Sequence, residues 1–463
     1  MVEARDVVVI GGGFAGLSAG VALAERGFRV AVLEAKPALG GRAYSFADTE
    51  TGDFVDNGQH VLMGCYVETF RFLERIGQGG QLVFQHDLAI EMLERGGRAG
   101  VLKSARLPGP LHMTAALLRY GLLTPGERLS AIVAGLRMLR MHRRNRAHLR
   151  QITVKTLMDE LRQGERARQC FWYPMAIATL NEDPQVASAA LLAEVLQRAF
   201  FAQRSDSAYV YAKVGLSDLY CPGSVRLIEA GGGLVETRAV VEALEFGAED
   251  SIAGVRLRDG RRLRAANFIA AVPPAQLMRL LPEGAGADPF FAHLGEITSS
   301  PIICVHAWFD REITGSAFVG FVGTTTQWLF NKRRIFAESG ERANGYLSFV
   351  ISGARKLVDA DSEELLDIVI GDLNAMIPAA RDARLLKALV LKEKAATMTP
   401  SPECDRLRPS LATPIANFFL AGDWIHTGLP ATIESAVASG HAAAAAVAGR
   451  VGTADSVNPP DPP

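Results

Sequence analysis

One feature constrains the fold of this chain more than any other. It is a short apolar run, followed by three spaced glycines and a predicted helix. Residues 7–10 read VVVI, which suits a parallel strand buried on both faces. The G-x-G-x-x-G spacing that follows allows a tight turn, close approach of a pyrophosphate to the backbone, and close packing of helix on strand. The N-terminus of that helix attracts phosphate through its free N–H groups and its dipole. We therefore predict dinucleotide contacts at Gly11, Gly13, Phe14, Ala15 and Gly16.

A second strand completes this βαβ unit. Gly27 ends the helix, and residues 28–34 read FRVAVLE. Glu34 lies where an acidic side chain can accept hydrogen bonds from an adenosine ribose, with Ala35 next to it. An acid at this position favours a free 2′-hydroxyl over a 2′-phosphate, which argues against an NADP site.

The sequence G-G-R follows at Gly40, Gly41 and Arg42. In this position it resembles the flavoprotein family of amine oxidases, phytoene desaturases and protoporphyrinogen oxidases. The resemblance implies that the cofactor is FAD and that the Arg42 side chain and the nearby backbone of Gly41 grip its diphosphate. A solvated surface arginine is the alternative interpretation of Arg42.

A matching C-terminal segment reads NFFLAGDWIHTGLPATIESAVASG, with a predicted strand at residues 418–420. Gly422 and Asp423 resemble the second flavin motif of the same family, which implies that Asp423 binds the ribityl chain or the pyrophosphate. A helix beginning near Pro430 would point N–H groups, among them those of Thr432 and Ile433, at the pyrimidine edge of the isoalloxazine. The alternative for Asp423 is a capping role near a helix.

The stretch DNGQHVLMGCY at residues 56–66 is the most distinctive local sequence. It resembles the hydroxysqualene dehydroxylases of bacterial hopanoid pathways, the squalene-associated FAD-dependent desaturases. The D-G-R turn, the AVPP segment and the block after Gly422 extend the resemblance over most of the chain. It implies that Gly58, Gln59 and His60 lie close to the flavin, and that hydride from reduced flavin replaces an allylic hydroxyl to give squalene.

Loss of that hydroxyl calls for a general acid. We predict His60 for this role by its position and take Asp56 as a further catalytic candidate, with Glu434 as another alternative. A structural histidine is the competing interpretation of His60, and a structural or capping role competes for each carboxylate.

Two other functions fit the same motifs. An oxidative flavoenzyme, such as a carotenoid desaturase or an amine oxidase, would use the same cofactor site with the hydride moving in the opposite direction. A non-catalytic escort protein of the same fold would not need both halves of the FAD site, and this chain has both.

The fold class that we predict is α/β, with a Rossmann-like FAD-binding domain of the amine oxidase and phytoene desaturase type and an inserted mixed α+β substrate domain. At 463 residues the chain exceeds one ordinary core. Strand signals in VRLIEAGGGLVE and in the hairpin with Asp259-Gly260 at its tip return the chain to the FAD domain. This segment resembles the middle segment of the same flavoprotein family, which implies that Val241 contacts the adenine. The predicted boundaries are 1–65, 209–275 and 396–452 for the FAD domain, 66–208 and 276–395 for the substrate domain, and 453–463 for a disordered tail.

Composition argues against nucleic acid as a partner and against several kinds of site. The net charge of −1 gives no general attraction to nucleic acid, and five cysteines without a C-x-x-C pair indicate neither a zinc site nor disulfides. The chain lacks an apolar stretch of about 18 residues, so no spanning helix is expected. The N-terminus runs directly into a core strand, which leaves no room for a signal peptide and predicts a cytoplasmic protein.

Region 105–150 is predicted to associate with a membrane. Residues 111–141 form two apolar helical stretches, and an arginine cluster overlaps and follows them, at positions 137, 140, 143, 144, 146 and 150. This combination suits a helix lying on an anionic bilayer, here the inner face of the cytoplasmic membrane, and a buried helix pair is the alternative. The expected partners are an isoprenoid substrate and an electron donor for the flavin, and the oligomeric state is open.

Overall fold

The computed structural model describes residues 5–85, 87–247, 251–282, 284, 288–336 and 344–455. Its strands form two seven-stranded sheets, a three-stranded sheet and a two-stranded sheet. In chain order the strands are β1 (Arg5–Ile10), β2 (Val30–Leu33), β3 (Ser45–Ala47), β4 (Phe54–Asp56), β5 (Leu62–Met63), β6 (Leu82–Gln85), β7 (Ala89–Glu94), β8 (Arg98–Lys103), β9 (Tyr209–Ala212), β10 (Leu234–Glu236), β11 (Val241–Phe246), β12 (Ile252–Leu257), β13 (Arg262–Ala270), β14 (Ser299–Phe309), β15 (Phe318–Val322), β16 (Trp328–Asn331), β17 (Gly345–Ser352), β18 (Leu385–Met398) and β19 (Phe418–Leu420).

Along the chain, most helices lie in the segments that connect strands of the two large sheets. They are α1 (Phe14–Ala24), α2 (Val67–Arg75), α3 (Leu111–Leu118), α4 (Pro125–Arg144), α5 (Arg146–Leu149), α6 (Val154–Glu160), α7 (Glu165–Ala167), α8 (Tyr173–Leu180), α9 (Ala189–Val195), α10 (Leu216–Ala230), α11 (Pro274–Leu280), α12 (Pro289–Ala292), α13 (Lys332–Ile335), α14 (Ser362–Met376), α15 (Pro402–Arg406) and α16 (Ile433–Asp455). π-Helical turns at Arg168–Trp172 and Leu196–Phe200 lead into α8 and continue α9.

The first large sheet has the order β10-β2-β1-β13-β12-β11, and β19 pairs with β13. The pairs β10/β2, β2/β1, β1/β13 and β13/β19 are parallel, whereas β11, β12 and β13 form an antiparallel meander. Helices α1, α10 and α16 pack together on one face. The predicted α/β fold, the strand at 418–420 and the hairpin around Asp259-Gly260 are confirmed, and the domain boundaries stay a prediction.

One strand prediction was wrong. Residues 225–230 of VRLIEAGGGLVE belong to α10, and only Leu234–Glu236 joins the sheet. The three glycines at 231–233 end the helix, with Gly232 at φ +76°. A glycine in the left-handed region after an apolar run is a helix C-terminal signal, which the sequence interpretation passed over.

The second large sheet has the order β18-β14-β17-β16-β15-β7-β8. Helix α14 covers one face through Val369 and Leu373, and the helices between α3 and α9 cover the other face. A cavity lies between this helical layer and the sheet.

Two further sequence predictions concern membrane-spanning helices and the C-terminal tail. Among the described residues, no helix combines the length and the apolar character needed to cross a bilayer. Of the predicted disordered tail, residues 453–455 are the end of α16, and 456–463 lie outside the described residues.

Candidate active site

Two glycines face each other where the first helix begins. Gly13 has φ −91°, and a Cβ built on it would lie 3.6 Å from the Cα of Gly41. Gly41 has φ +59°, and its own Cβ would lie 3.1 Å from the Cα of Gly13. The turn before α1 and the G-G-R segment therefore meet backbone to backbone, with no side chain between them. A junction of backbone without side chains, at a helix N-terminus, suits a diphosphate that lies against it.

Glu34 ties the end of β2 to the glycine-rich turn. Its carboxylate accepts hydrogen bonds from the backbone N–H groups of Gly12 and Lys36, each at 2.8 Å. The N–H of Ala239 donates to the Glu34 carbonyl at 2.9 Å, which brings the start of β11, with buried Val241, to this end of the sheet. Ala35 is exposed beside them.

Arg42 and Asp423 form an ion pair that joins the two predicted flavin segments. Arg42 also donates to the carbonyl of Ala396 at 3.1 Å and lines the cavity. Gly422 has φ +148°, and a Cβ there would lie 2.5 Å from Nε1 of Trp424, so the turn before Asp423 requires glycine.

The N-terminus of α16 opens into the cavity. Thr432 caps it: its hydroxyl accepts from the Ser435 N–H at 3.2 Å and its carbonyl from the Ala436 N–H at 3.0 Å. The N–H groups of Ile433 and Glu434 have no acceptor among the described residues. These unpaired donors suit the negative charge that develops on the pyrimidine edge of an isoalloxazine.

The segment after β4 forms the adjoining wall. Asn57 fixes its start, because its side chain donates to the Arg42 carbonyl at 2.9 Å and accepts from the Tyr44 N–H at 3.1 Å. Gly58, Gln59 and His60 then line the cavity. The sequence-predicted residues of both flavin segments and this stretch are thus brought to one place.

His60 has one nitrogen free to face a ligand. Its Nδ1 lies 2.9 Å from the carbonyl of Gly58, so this nitrogen carries the proton and donates it. Nε2 is then the nitrogen that remains for the cavity. Burial lowers the pKa of His60 below its ordinary value of 6.5, which favours the neutral imidazole.

The two carboxylates considered with His60 are both occupied. Asp56 is 3% exposed, and its oxygens accept from Lys332 Nζ at 2.7 Å and from the Leu216 N–H at 3.1 Å. Glu434 accepts from the N–H groups of Glu68 and Thr69 at 3.0 and 2.9 Å, and so caps α2. These contacts indicate a structural role for both carboxylates.

The cavity encloses about 280 Å³ and is walled mostly by apolar side chains. Its other apolar and aromatic lining residues were missed from the sequence, since they are scattered along the chain. They are Tyr66, Val195, Ala199, Tyr209, Ile302, Phe318, Trp328, Phe330 and Val350. Lys332, buried behind Gln59, was missed as well.

These groups form a donor set that fits FAD. The backbone junction of Gly13 and Gly41, together with Arg42, suits the diphosphate. Glu34 suits the ribose, and the N-terminus of α16 suits the isoalloxazine. The family model for flavin containing amine oxidoreductase matches residues 14–448. The chain belongs to this family, and it is an FAD-dependent oxidoreductase.

Relatives and solved structures agree with this assignment. The chain is 30% identical to the hydroxysqualene dehydroxylase of Rhodopseudomonas palustris over 451 residues, which covers 95% of this chain and 97% of that protein. It is 26% identical to the 15-cis-phytoene desaturase of Synechococcus elongatus over 459 residues, 96% of each chain. The structure of cyclohexylamine oxidase from Brevibacterium oxydans matches with a TM-score of 0.72 at 18% identity, over 97% of this chain and 100% of that chain. That likeness shows the fold alone.

Proposed function

We propose that this protein removes the allylic hydroxyl of hydroxysqualene to form squalene, with reduced FAD as the hydride donor. The observation that carries the proposal is the cavity itself: its lining is mostly apolar, and one of its polar edges is formed by Gly58, Gln59 and His60 beside the FAD-binding residues. A long polyisoprenoid with one hydroxyl has this same distribution of apolar and polar surface. The resemblance to a hydroxysqualene dehydroxylase over nearly the whole chain supports it.

In the proposed reaction, reduced FAD supplies a hydride to the carbon that loses oxygen. The C–O bond breaks, its electron pair leaves with the oxygen, and one proton converts that oxygen into water. The chain must hold the allylic carbon, deliver the proton and keep bulk water from the electron-poor carbon. The apolar walls around Phe318, Trp328 and Phe330 would exclude water.

His60 is the proposed proton donor, through Nε2. Its Nδ1 is held by the Gly58 carbonyl, which orients the ring toward the cavity. Since burial lowers its pKa, the imidazolium is a stronger acid than an exposed one, although it is present over a narrower pH range. Asp56 and Glu434 are engaged elsewhere, which leaves His60 as the proposed acid.

Reaction of reduced enzyme with hydroxysqualene under anaerobic conditions tests the proposal. We expect one squalene to form for each flavin that is oxidised, measured by mass spectrometry and by recovery of the oxidised flavin spectrum. The resemblance to phytoene desaturases favours a second candidate, oxidative desaturation of a polyene. Oxidised enzyme that desaturates phytoene, together with reduced enzyme that leaves hydroxysqualene unchanged, would establish that candidate instead.

We also propose that the exposed side of helices α3 and α4, called the α3–α4 surface, binds the anionic inner face of the cytoplasmic membrane. On α4 the side chains of Leu129, Val133 and Leu136 are 60%, 40% and 52% exposed. They continue along the same helical stripe into Arg137 and Arg140. On α3, Leu111 and Leu118 are 52% and 51% exposed. An apolar stripe beside basic side chains suits the boundary between lipid headgroups and chains.

This surface also lies near the cavity. Helix α4 packs against α9, and Val195 at the end of α9 lines the cavity. A lipid-soluble substrate would therefore have a short path from the bilayer. An electron donor for the flavin is a further proposed partner.

Removing the basic side chains should release the protein from anionic vesicles. Replacing Arg137, Arg140, Arg143 and Arg144 with glutamine should weaken sedimentation with phosphatidylserine-containing liposomes, because each basic residue near such a surface contributes about 1 kcal/mol. Arg146 is left intact, since it donates to Glu194 at 3.0 Å. The control carries the same charge change on exposed arginines elsewhere, namely Arg26, Arg258, Arg264 and Arg279. Equal loss of binding in both variants would exclude a specific α3–α4 surface.

A further inference from the structure

A fully buried lysine lies directly behind the polar edge of the cavity. Lys332 begins α13 and is 0% exposed. Its Nζ lies 2.7 Å from Oδ2 of Asp56 and 2.7 Å from Oε1 of Gln59. A buried ammonium is costly unless it is paired and hydrogen-bonded, and here the pair is formed with Asp56. The contact to Gln59 is additional to that pair.

This contact determines which way the Gln59 amide is turned. An ammonium group donates hydrogen bonds and cannot accept them, so the amide oxygen must face Lys332. The amide nitrogen of Gln59 is then the atom left for the other side. It makes one long hydrogen bond, 3.3 Å to the His60 carbonyl, and its second N–H has no partner among the described residues. Gln59 is half-buried and lines the cavity.

The segment that carries Gln59 is held from behind by three separate elements. Asp56 accepts from the N–H of Leu216 at the start of α10. The Asp56 carbonyl accepts from Nε2 of buried His306 on β14 at 3.0 Å. Lys332 follows β16 and reaches both Asp56 and Gln59. The amide orientation is therefore fixed by the tertiary fold and not by the local turn.

We propose that Lys332 is a positioning residue that turns the Gln59 amide so that an N–H donor faces the substrate and binds its hydroxyl oxygen. This inference rests on the proposed function and deepens it, because it assigns the recognition of the alcohol to Gln59. A plain hydrocarbon offers this donor no acceptor, and a buried donor without a partner is unfavourable. The site is thus built to prefer an oxygen-bearing polyisoprenoid over a hydrocarbon of the same length.

Gln59 and His60 then act on the same oxygen in different ways. The Gln59 N–H does not transfer its proton, and it fixes the oxygen by a neutral hydrogen bond. His60 Nε2, when protonated, delivers the proton as the C–O bond breaks. Lys332 contacts neither substrate nor cofactor and acts through Gln59.

Ligand binding to the oxidised holoenzyme tests this without turnover. Hydroxysqualene and squalene are titrated separately while the flavin absorbance is followed, and the ratio of their dissociation constants is measured. We expect wild type to prefer the alcohol about fivefold, since one neutral hydrogen bond contributes about 1 kcal/mol. Gln59→Leu and Lys332→Met should each abolish the preference by weakening the alcohol alone. The double variant should show no further loss.

A matched control lies on the same helix. Arg334 is 52% exposed and pairs with Glu312 at the surface, so Arg334→Met removes a cation from α13 without touching the cavity edge. It should keep the wild-type ratio. Lys332→Met should also lower the free energy of unfolding, because it leaves Asp56 buried without its cation. Gln59→Leu removes no charge, and so it tests the inference even if the lysine variant does not fold.

Two outcomes would overturn the inference. Gln59→Leu could weaken FAD binding and leave the alcohol-to-hydrocarbon ratio unchanged, in which case the amide serves the cofactor. Wild type could also bind both ligands equally, in which case no donor recognises the hydroxyl. Absence of squalene formation with the preference intact would instead count against the proposed reaction and leave the recognition by Gln59 standing.

Discussion

Gly13→Val is expected to give a folded, colourless protein that no longer takes up FAD. Gly13 has φ −91°, so its backbone conformation is open to any residue. A Cβ there meets nothing closer than 3.6 Å, and the fold therefore has room for it. The valine methyl groups would project from the junction of the Gly13 and Gly41 backbones and block the approach of a pyrophosphate to it. Visible flavin absorbance of the purified protein and titration of the apoprotein with FAD measure the loss.

The neighbouring glycines show why Gly13 is the position to change. A Cβ at Gly16 would lie 1.9 Å from the carbonyl oxygen of Gly11, so a substitution there would disturb the fold itself. Gly371 on α14 has open space around it and is a matched control for the glycine-to-valine change. Gly371→Val should stay yellow. A Gly13→Val protein that still binds FAD with wild-type affinity would contradict the diphosphate site.

His60→Ala is expected to slow squalene formation by about a hundredfold or more, the usual cost of removing a general acid. FAD affinity and the flavin spectrum should change little. The protonated fraction of His60 falls as pH rises through its pKa, which burial places below 6.5. The wild-type rate should therefore be highest at acidic pH, and the ratio of wild-type to variant rates should shrink as pH rises. Single-turnover rates between about pH 5 and 8 measure this.

His60→Gln separates proton transfer from hydrogen bonding at the same site. Its amide keeps a polar group at the cavity edge but does not titrate, so its rate should be low and independent of pH. A variant that loses FAD would identify His60 as a cofactor or packing residue. A wild-type rate that does not depend on pH across this range would exclude it as the acid.

The sequence predicts the FAD-binding part of the fold well because glycine patterns report on local backbone geometry. The turn at Gly11, Gly13 and Gly16 and the strand at 418–420 depend on contacts within a few residues or on a parallel edge that the motif itself specifies. The strand predicted at residues 225–230 was wrong because their apolar pattern fits a strand and a helix equally well. The glycines that follow them indicate the end of a helix.

The remainder of the site depends on contacts between distant segments. In sequence, Lys332-Arg333-Arg334 reads as a charged surface run, yet Lys332 is fully buried because β16 brings it beneath Asp56, 276 positions away. Asp56 and Glu434 are candidates by position, and their partners at Leu216 and Thr69 are visible only in three dimensions. The catalytic and cofactor roles of the individual residues stay predictions until the variants are measured.

The Arg42–Asp423 pair has a consequence for how the enzyme matures. Its two partners are 381 positions apart, and α16, which follows Asp423, packs so tightly on α1 that a Cβ at Gly440 would lie 2.3 Å from the Ala15 carbonyl. A nascent chain still missing these last residues offers only half of the FAD site. We therefore expect cofactor loading to follow translation of α16, and a polypeptide on a ribosome stalled before that point to retain no flavin.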